Sequence, residues 1–269
     1  MKCLGMIGCG NMGEAIIKGL AKERSGFGRV VIAEADTKKA AALKKKYAVS
    51  LAGIIDLVRA SDVVVIAVKP QNIDEVLHEI KLALSSKNNN TVIVSIAAGI
   101  STAYIENRLA KKVSVVRVMP NMAGQIGKGI SALAAGRYTA RSELVRVGKI
   151  FDAIGETIVV KEAHMDAVTA VSGSGPAYVF YFIQALVEAA VKNGIDRAIA
   201  RKLVLQTLLG ATLMAEATKE DLDLLIKKVS SKGGTTEAAF RLLYKRKFKE
   251  IVVQAVSRAR ARARELARK

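Results

Sequence analysis

Gly8-Cys9-Gly10-Asn11-Met12-Gly13 stands between an apolar run that begins with the chain, Lys2–Ile7, and an amphipathic stretch, Met12–Lys22. Three glycines at this spacing, between a strand and a helix, restrict the chain to few folds. The first glycine permits a tight turn and the second lets a pyrophosphate approach the backbone. The third lets helix and strand pack closely. Free N–H groups and the positive end of the helix then favour phosphate. The plainer alternative is a glycine-rich structural turn.

The first half of the chain continues this alternation. Arg29–Glu34, Asp62–Val68, Thr91–Ile96 and Ser114–Val118 read as further strands, and Thr37–Lys46, Ile73–Leu84 and Thr102–Leu109 as further helices. Such alternation predicts a parallel, doubly wound α/β sheet of the Rossmann type with helices on both faces. A last strand pair is expected through Ser131–Ala134 and Glu156–Val160. After about Glu162 only helical periodicity remains. Pro176–Asn193 has Pro at its start and Gly194 just past its end, the usual asymmetry. Asp196 is placed to cap Arg197–Ala217, and Thr218 with Asp221 to cap the next helix. Thr235 or Thr236 is expected to open one final helix reaching toward the C-terminus. The expected domains are 1–162, binding a dinucleotide, and 163–269, all-helical.

Composition removes several function classes. Hydrophobic residues make up 51% and charged residues 25% of the 269, a balance of folded rather than disordered chains. The net charge of +19 raises the question of nucleic acid. The basic residues, however, are scattered over Lys38–Lys46, Lys227–Lys232, Arg241–Lys249 and Arg258–Lys269, with no zinc-finger, basic-zipper or RNP pattern. A solvated basic surface is the expectation, and a nucleic-acid partner is not. Cys3 and Cys9 cannot frame a disulfide scaffold, and His78 and His164 add no metal-ligand spacing. No metal is expected, and a reducing cytoplasmic compartment fits. The longest apolar helix candidate, Ala177–Val191, contains Gln184 and Glu188 and is too short for a bilayer, so no membrane partner is expected.

Several residues stand where chemistry would be. Glu34 closes the second strand, where a ribose-binding acid is found in dinucleotide folds; a solvated strand end explains it too. Asp36 competes for that role but better suits a helix cap. Pro70 stops a strand and frees Lys69 at its carboxyl end, where ligands of open parallel sheets collect; a snorkelling surface lysine is the alternative. Ser95-Ile96-Ala97-Ala98-Gly99 ends a strand with small residues, which leaves room for a flat ring or simply packs closely. Gly233-Gly234-Thr235-Thr236 offers aligned N–H donors at a helix start, suited to a small carboxylate; a helix–helix turn with a capping threonine is the alternative.

Gly8–Gly13, Ala67–Gln71, Ser95–Ile100, Arg117–Asn121, Asp166–Ala170, Ser172–Tyr178 and Ser231–Thr236 occur in this order. The set resembles the pyrroline-5-carboxylate reductases over nearly the whole chain, and its two last motifs are more specific than the glycine loop. The resemblance implies a nicotinamide dinucleotide held by Gly8, Cys9, Gly10, Asn11, Met12 and Gly13, by Ala67, Val68, Lys69 and Pro70, and by Ile96, Ala97 and Ala98. Glu34, Met119, Pro120, Asn121 and Glu162 are assigned to the same cofactor. Backbone amides of Gly233, Gly234 and Thr235 are implied for the substrate carboxylate. Ser174, in the glycine-rich entry Ser172–Gly175, is a candidate for substrate contact, with a structural turn that packs the two domains as the alternative. Thr236 is implied as the catalytic residue, its hydroxyl reaching the imine nitrogen.

The implied reaction is hydride transfer from NADH or NADPH to 1-pyrroline-5-carboxylate, giving L-proline in the last step of its biosynthesis. Lys232 replaces the family's usual proline, Ile54 its usual polar residue near the adenosine ribose, and Glu34-Ala35 its usual Asn or Ser followed by Arg. Glu34 predicts that NADH is accepted at least as readily as NADPH, with Lys38 and Lys39 in the first turn of the next helix pulling the other way. A hydroxyacid dehydrogenase of the same plan is disfavoured, since Val179 and Ile183 stand where its catalytic Lys and Asn belong. A reductase of another imine and a non-catalytic binding protein are the remaining rivals. The apolar circumference of Pro176–Asn193 implies self-association through the C-terminal helices, as a dimer or assembly of dimers.

Overall fold

The computed structural model describes residues 3–22, 28–85 and 91–266. Two compact units result, one of Met1–Ser174 with Ala259–Lys269, the other of Gly175–Arg258. The pattern change at about Glu162 precedes this break. Residues beyond it still pack on the sheet, where Met165 is buried with Ala132 and Ala134.

In the first unit the strands are β1 (Cys3–Ile7), β2 (Arg29–Ala33), β3 (Ser50–Leu51), β4 (Val63–Ile66), β5 (Val92–Ser95), β6 (Val115–Pro120), β7 (Gly129–Ala135) and β8 (Gly155–Val159). The helices between them are α1 (Asn11–Lys22), α2 (Thr37–Tyr47), α3 (Ile54–Ala60), α4 (Ile73–Ser85), α5 (Thr102–Leu109) and α6 (Arg141–Asp152). They form one eight-stranded sheet of order β3-β2-β1-β4-β5-β6-β7-β8. Alternate residues of each strand face opposite cores. Leu4, Met6, Val63 and Val65 pack with Ile16, Leu20 and Phe151 on one side. Cys3, Ile7, Val64 and Ile66 pack with Leu57, Leu77 and Ile105 on the other. Burial on both faces explains why these strands are continuous apolar runs.

The fold class stands, with one departure: β7 runs antiparallel to β6, pairing Pro120 with Ser131. Only residues 121–128 connect the two, including a 3₁₀ turn at Met122–Ile126. That is too short for a crossover to a parallel neighbour. The expected last pair does form, as parallel strands β7 and β8 joined through α6.

The short α7 (Met165–Val168) and a π turn (Thr169–Gly173) lead into the second unit, which holds α8 (Gly175–Lys192), α9 (Arg197–Thr218), α10 (Leu222–Lys228), α11 (Thr235–Lys245) and the start of α12 (Phe248–Leu266). Asp196 caps α9 through the N–H groups of Ala198 and Ile199, as expected. Two expectations are corrected. Asp221 alone caps α10, at Asp223 N–H, while the Thr218 hydroxyl turns back to the Met214 carbonyl. The final helix is two helices, because Lys247 adopts a left-handed φ of 52° and ends α11. A third correction concerns length: the helical run is continuous over 162–192, 31 residues. It and Arg197–Thr218 are each long and apolar enough to cross a membrane by length and composition. Ala177–Val191 is only part of this run, because a π turn joins α7 to α8 without a break.

Candidate active site

The carboxyl ends of β1, β2 and β4 open on a cleft of about 720 Å³. β1 lies between β2 and β4, so the cleft sits at a topological switch point, where open α/β sheets bind their ligands. Gly8, Cys9, Gly10, Glu34, Ala67, Val68 and Lys69 line it. Gly8 turns with φ +80°, and a Cβ there would stand 2.9 Å from the Ala67 carbonyl oxygen. A Cβ on Gly13 would stand 2.8 Å from the Gly8 carbonyl oxygen. Gly10 differs: it is exposed, and a Cβ there would meet nothing within 4 Å. Turn, close packing and open approach thus fall on the first, third and second glycine respectively. An open backbone at the start of α1 fits a pyrophosphate.

The segment after β2 is held by its carboxylates. Glu34 Oε2 accepts from Cys9 N–H at 2.8 Å, and its Oε1 accepts from Asp36 N–H at 3.0 Å. Asp36 Oδ1 accepts from Lys38 N–H at 2.9 Å and Lys39 N–H at 3.0 Å, capping α2. Burial, with a further push from the Glu34 carboxylate, raises the Cys9 thiol to about 12. That side chain therefore stays protonated near neutral pH and offers no thiolate.

In the helical unit, Ser231–Gly234 forms a tight turn in which Gly234 N–H donates to the Ser231 carbonyl at 3.0 Å. Gly233 takes φ +75° and Gly234 is the N-cap of α11. Thr235 and Thr236 then occupy the first two helical positions, where amides have no partner within the helix. The Gly233 N–H donates to the Glu237 carboxylate, which also pairs with Arg241 at 2.9 Å. These two bonds, Arg241 first, hold Glu237 below the usual carboxylate range. The turn thus already carries a carboxylate on one of its amides.

Two family models match, one described as pyrroline-5-carboxylate reductase dimerisation over residues 162–266, the other as NADP oxidoreductase coenzyme F420-dependent over residues 3–99. Over 99% of its length the chain is 37% identical to the pyrroline-5-carboxylate reductase of Mycobacterium tuberculosis, covering 97% of that protein. The chain belongs to the pyrroline-5-carboxylate reductase family. Among solved structures, that of the Coxiella burnetii enzyme is 34% identical with a TM-score of 0.91, covering 98% of each chain. The Plasmodium falciparum pyrroline carboxylate reductase with NADP bound is 31% identical with a TM-score of 0.84, covering 98% of this chain and 97% of that one.

Within this reductase fold the other expected residues lie at varied places. Asn11 is exposed and Met12 half-buried at the start of α1, and Pro70 opens a 3₁₀ turn behind Lys69. Ile96, Ala97 and Ala98 follow β5, with Ala97 N–H held by Ser95 Oγ at 3.2 Å. Met119 packs against the core around Met165, Pro120 ends β6, and Asn121 Oδ1 accepts from Ile130 N–H at 3.2 Å. Among the described residues none of these lines the cleft. Ser174 ends the sheet unit, its N–H bonded to the Thr169 carbonyl at 2.9 Å.

Glu162 has a partner that its sequence position did not reveal. Its Oε1 accepts from Arg117 Nη1 at 2.8 Å, and its Oε2 is 3.4 Å from the Thr102 hydroxyl. Arg117 is buried inside β6, with Nη2 3.8 Å from Asp166 and no hydrogen-bond partner for that nitrogen. The available signal was a lone charge in Val115-Val116-Arg117-Val118, since a buried charge requires a partner. Gly53, Ile54 and Asn72 also line the cleft. No single motif holds them together, so their grouping appears only once the chain is folded.

Proposed function

We propose that this chain reduces 1-pyrroline-5-carboxylate to L-proline, the last step of proline biosynthesis, with a nicotinamide dinucleotide as hydride donor. Membership of the reductase family over 99% of the chain is the observation that carries this reading. The glycine-loop cleft and the Gly233–Thr236 turn give it chemical content. When bound, the dinucleotide supplies the hydride that reaches the imine carbon. The chain binds and aligns. Gly8–Gly13 and the α1 N-terminus hold the pyrophosphate, and Glu34 the adenosine ribose. Ala67–Pro70, Ile96–Ala98, Met119–Asn121 and Glu162 complete the cofactor site.

The amides of Gly233, Gly234 and Thr235 take the substrate carboxylate, with Ser174 beside the substrate. A cyclic imine is basic enough to arrive partly protonated, so no strong acid is required. Thr236 Oγ hydrogen-bonds the imine nitrogen and sets which ring face meets the hydride. The chemistry asks for neither a metal nor a thiolate.

NADH is accepted at least as readily as NADPH. The chain works in the cytoplasm as a dimer or assembly of dimers, and it engages neither membrane nor nucleic acid. The apolar helices 162–192 and 197–218 are covered by a second copy rather than by lipid. Purified protein is expected to oxidise the reduced cofactor when given pyrroline-5-carboxylate and to form proline. A folded preparation with no turnover on either cofactor would refute the reading. Replacing Thr236 with Ala should lower kcat/KM by about 10- to 1,000-fold while leaving cofactor Kd unchanged. An unchanged kcat/KM would remove Thr236 from the site.

A further inference from the structure

The cleft carries the opposite charge from the chain as a whole. The net charge is +19, yet among the described residues the cleft is lined by Glu34, Asp36, Glu75 and Glu79 against Lys39 and Lys69. Two of those carboxylates lie where β2 meets α2. In a dinucleotide fold this is where the adenosine ribose rests, and it is the place a 2′-phosphate would occupy. Both are fixed there by backbone: Glu34 bridges Cys9 N–H and Asp36 N–H, and Asp36 bridges Lys38 N–H and Lys39 N–H.

We infer that Glu34 and Asp36 together exclude a 2′-phosphate, making the chain selective for the unphosphorylated dinucleotide. The inference rests on the dinucleotide site proposed above and sharpens it. A helix N-terminus attracts phosphate through its free amides. At α2 two of those amides are already bonded to the Asp36 carboxylate. A 2′-phosphate carries about two negative charges near neutral pH. It would meet one anion, Glu34, on the glycine-loop side and another, Asp36, in the cradle itself. Neither moves aside without giving up two hydrogen bonds. Ribose hydroxyls, being donors as well as acceptors, suit the same carboxylates. Lys39 also lines this cleft, and its backbone N–H is one of the two that Asp36 holds. Glu34 is one obstacle and Asp36 another, so either substitution alone opens only part of the site.

Calorimetric titration with 5′-ADP and 2′,5′-ADP isolates the 2′-phosphate from the nicotinamide and needs no turnover. The parent protein is expected to bind 2′,5′-ADP at least about tenfold more weakly than 5′-ADP, the scale of one close like-charge contact near a surface. Glu34→Gln and Asp36→Asn each narrow the gap by about threefold, and the double variant brings it within about twofold. Asp36→Asn keeps a side-chain carbonyl on the α2 amides, so the helix retains its cap while the charge is removed. Asp36→Ala, where it folds, uncovers the amides and should bind 2′,5′-ADP more tightly than Asp36→Asn does. Equal or tighter binding of 2′,5′-ADP by the parent would overturn this inference and leave the dinucleotide site intact. Closure of the whole gap by Glu34→Gln alone would overturn the role of Asp36. Failure of the parent to bind 5′-ADP would overturn the dinucleotide reading, and this inference with it.

Discussion

All five residues of β1 and all four of β4 are buried, whereas α10, α11 and α12 bury none. The sheet unit closes two cores around one layer, with valines and isoleucines filling both faces. In the helical unit the buried core consists of Val187, Ala200 and Val204. Phe180, Tyr181, Leu209 and Leu213, on α8 and α9, are more than half exposed. Hydrophobicity therefore does different work in the two regions. In the sheet unit it specifies the fold of one chain. In the helical unit it specifies association, because an apolar helix left bare in water gains nothing from its side chains. The match of 162–266 to a dimerisation model agrees with this division. The proposed substrate turn is built into the unit that is incomplete alone, and the cofactor cleft into the unit that is complete.

The comparison breaks most sharply if the helical faces are made polar. Phe180→Glu combined with Leu209→Glu places two charges where a partner's apolar surface is expected, and unpaired charge at such a surface is strongly unfavourable. Sedimentation should show a monomer at micromolar concentration, with activity lost. Binding of 5′-ADP to the cleft should stay within about twofold of the parent, since distant sites act independently. A variant that remains associated and active would show that these faces are covered in another way.

A second test bears on the sheet unit, where, among the described residues, the buried Arg117 lies 3.8 Å from Asp166 and forms its closer ion pair with Glu162. The side chains are 5% and 30% exposed. Arg117→Met leaves Glu162 and Asp166 without their counter-charge. Breaking a fully buried pair costs about 3–5 kcal/mol; partial exposure of both carboxylates reduces the expectation to about 2–3 kcal/mol. Denaturant unfolding would measure it, and Arg117→Met with Glu162→Gln should recover part of the loss. A cost under about 1 kcal/mol would show that the pair holds nothing in place.

The two regions also differed in how far their sequences revealed them. Strands of the sheet unit were visible because each is a short Val and Ile run ended by Gly, Pro or a polar residue. β3 has two residues and α3 seven, too few for a period to show. The N-cap of α6 is Ala140, which has no capping oxygen; Glu143 accepts from the Ala140 N–H instead, so the usual start signal is missing. In the helical unit the break between α11 and α12 falls on Lys247 in a left-handed conformation without glycine or proline. Local propensity carries no signal for such a break. At the cleft, local motifs identified Gly8, Gly10, Glu34 and Lys69, and capping chemistry identified Asp36. Glu75 and Glu79 carried no such mark. Glu75 is exposed and Glu79 half-buried on α4, and they become part of a site only when β1 and β4 pair.

The smallest expected effect tests whether the sheet unit depends on its surface charges. Glu14, in the first turn of α1, accepts from Lys46 Nζ at 3.0 Å and from the Tyr47 hydroxyl at 3.1 Å. It thereby ties α1 to the end of α2. The Lys46 hydrogen bond is the main cause that holds the Glu14 carboxyl below the usual carboxylate range, against a smaller upward push from burial. A depressed folded value means the stabilisation is fully present above the unfolded value, about 4.3. It is lost as pH falls through the lower folded value, where the protonated form predominates in both states. Glu14→Gln should therefore cost at most about 0.5 kcal/mol at neutral pH, the scale of a solvent-exposed pair. The difference from the parent should vanish in acid and shrink in high salt. If Glu14→Gln instead cost more than about 1 kcal/mol, well beyond an exposed pair, surface electrostatics would share with the two cores in holding this unit together. A chain with 43 lysines and arginines would then depend on where its few carboxylates fall, and the contrast between a core-built unit and an association-built unit would need a third term.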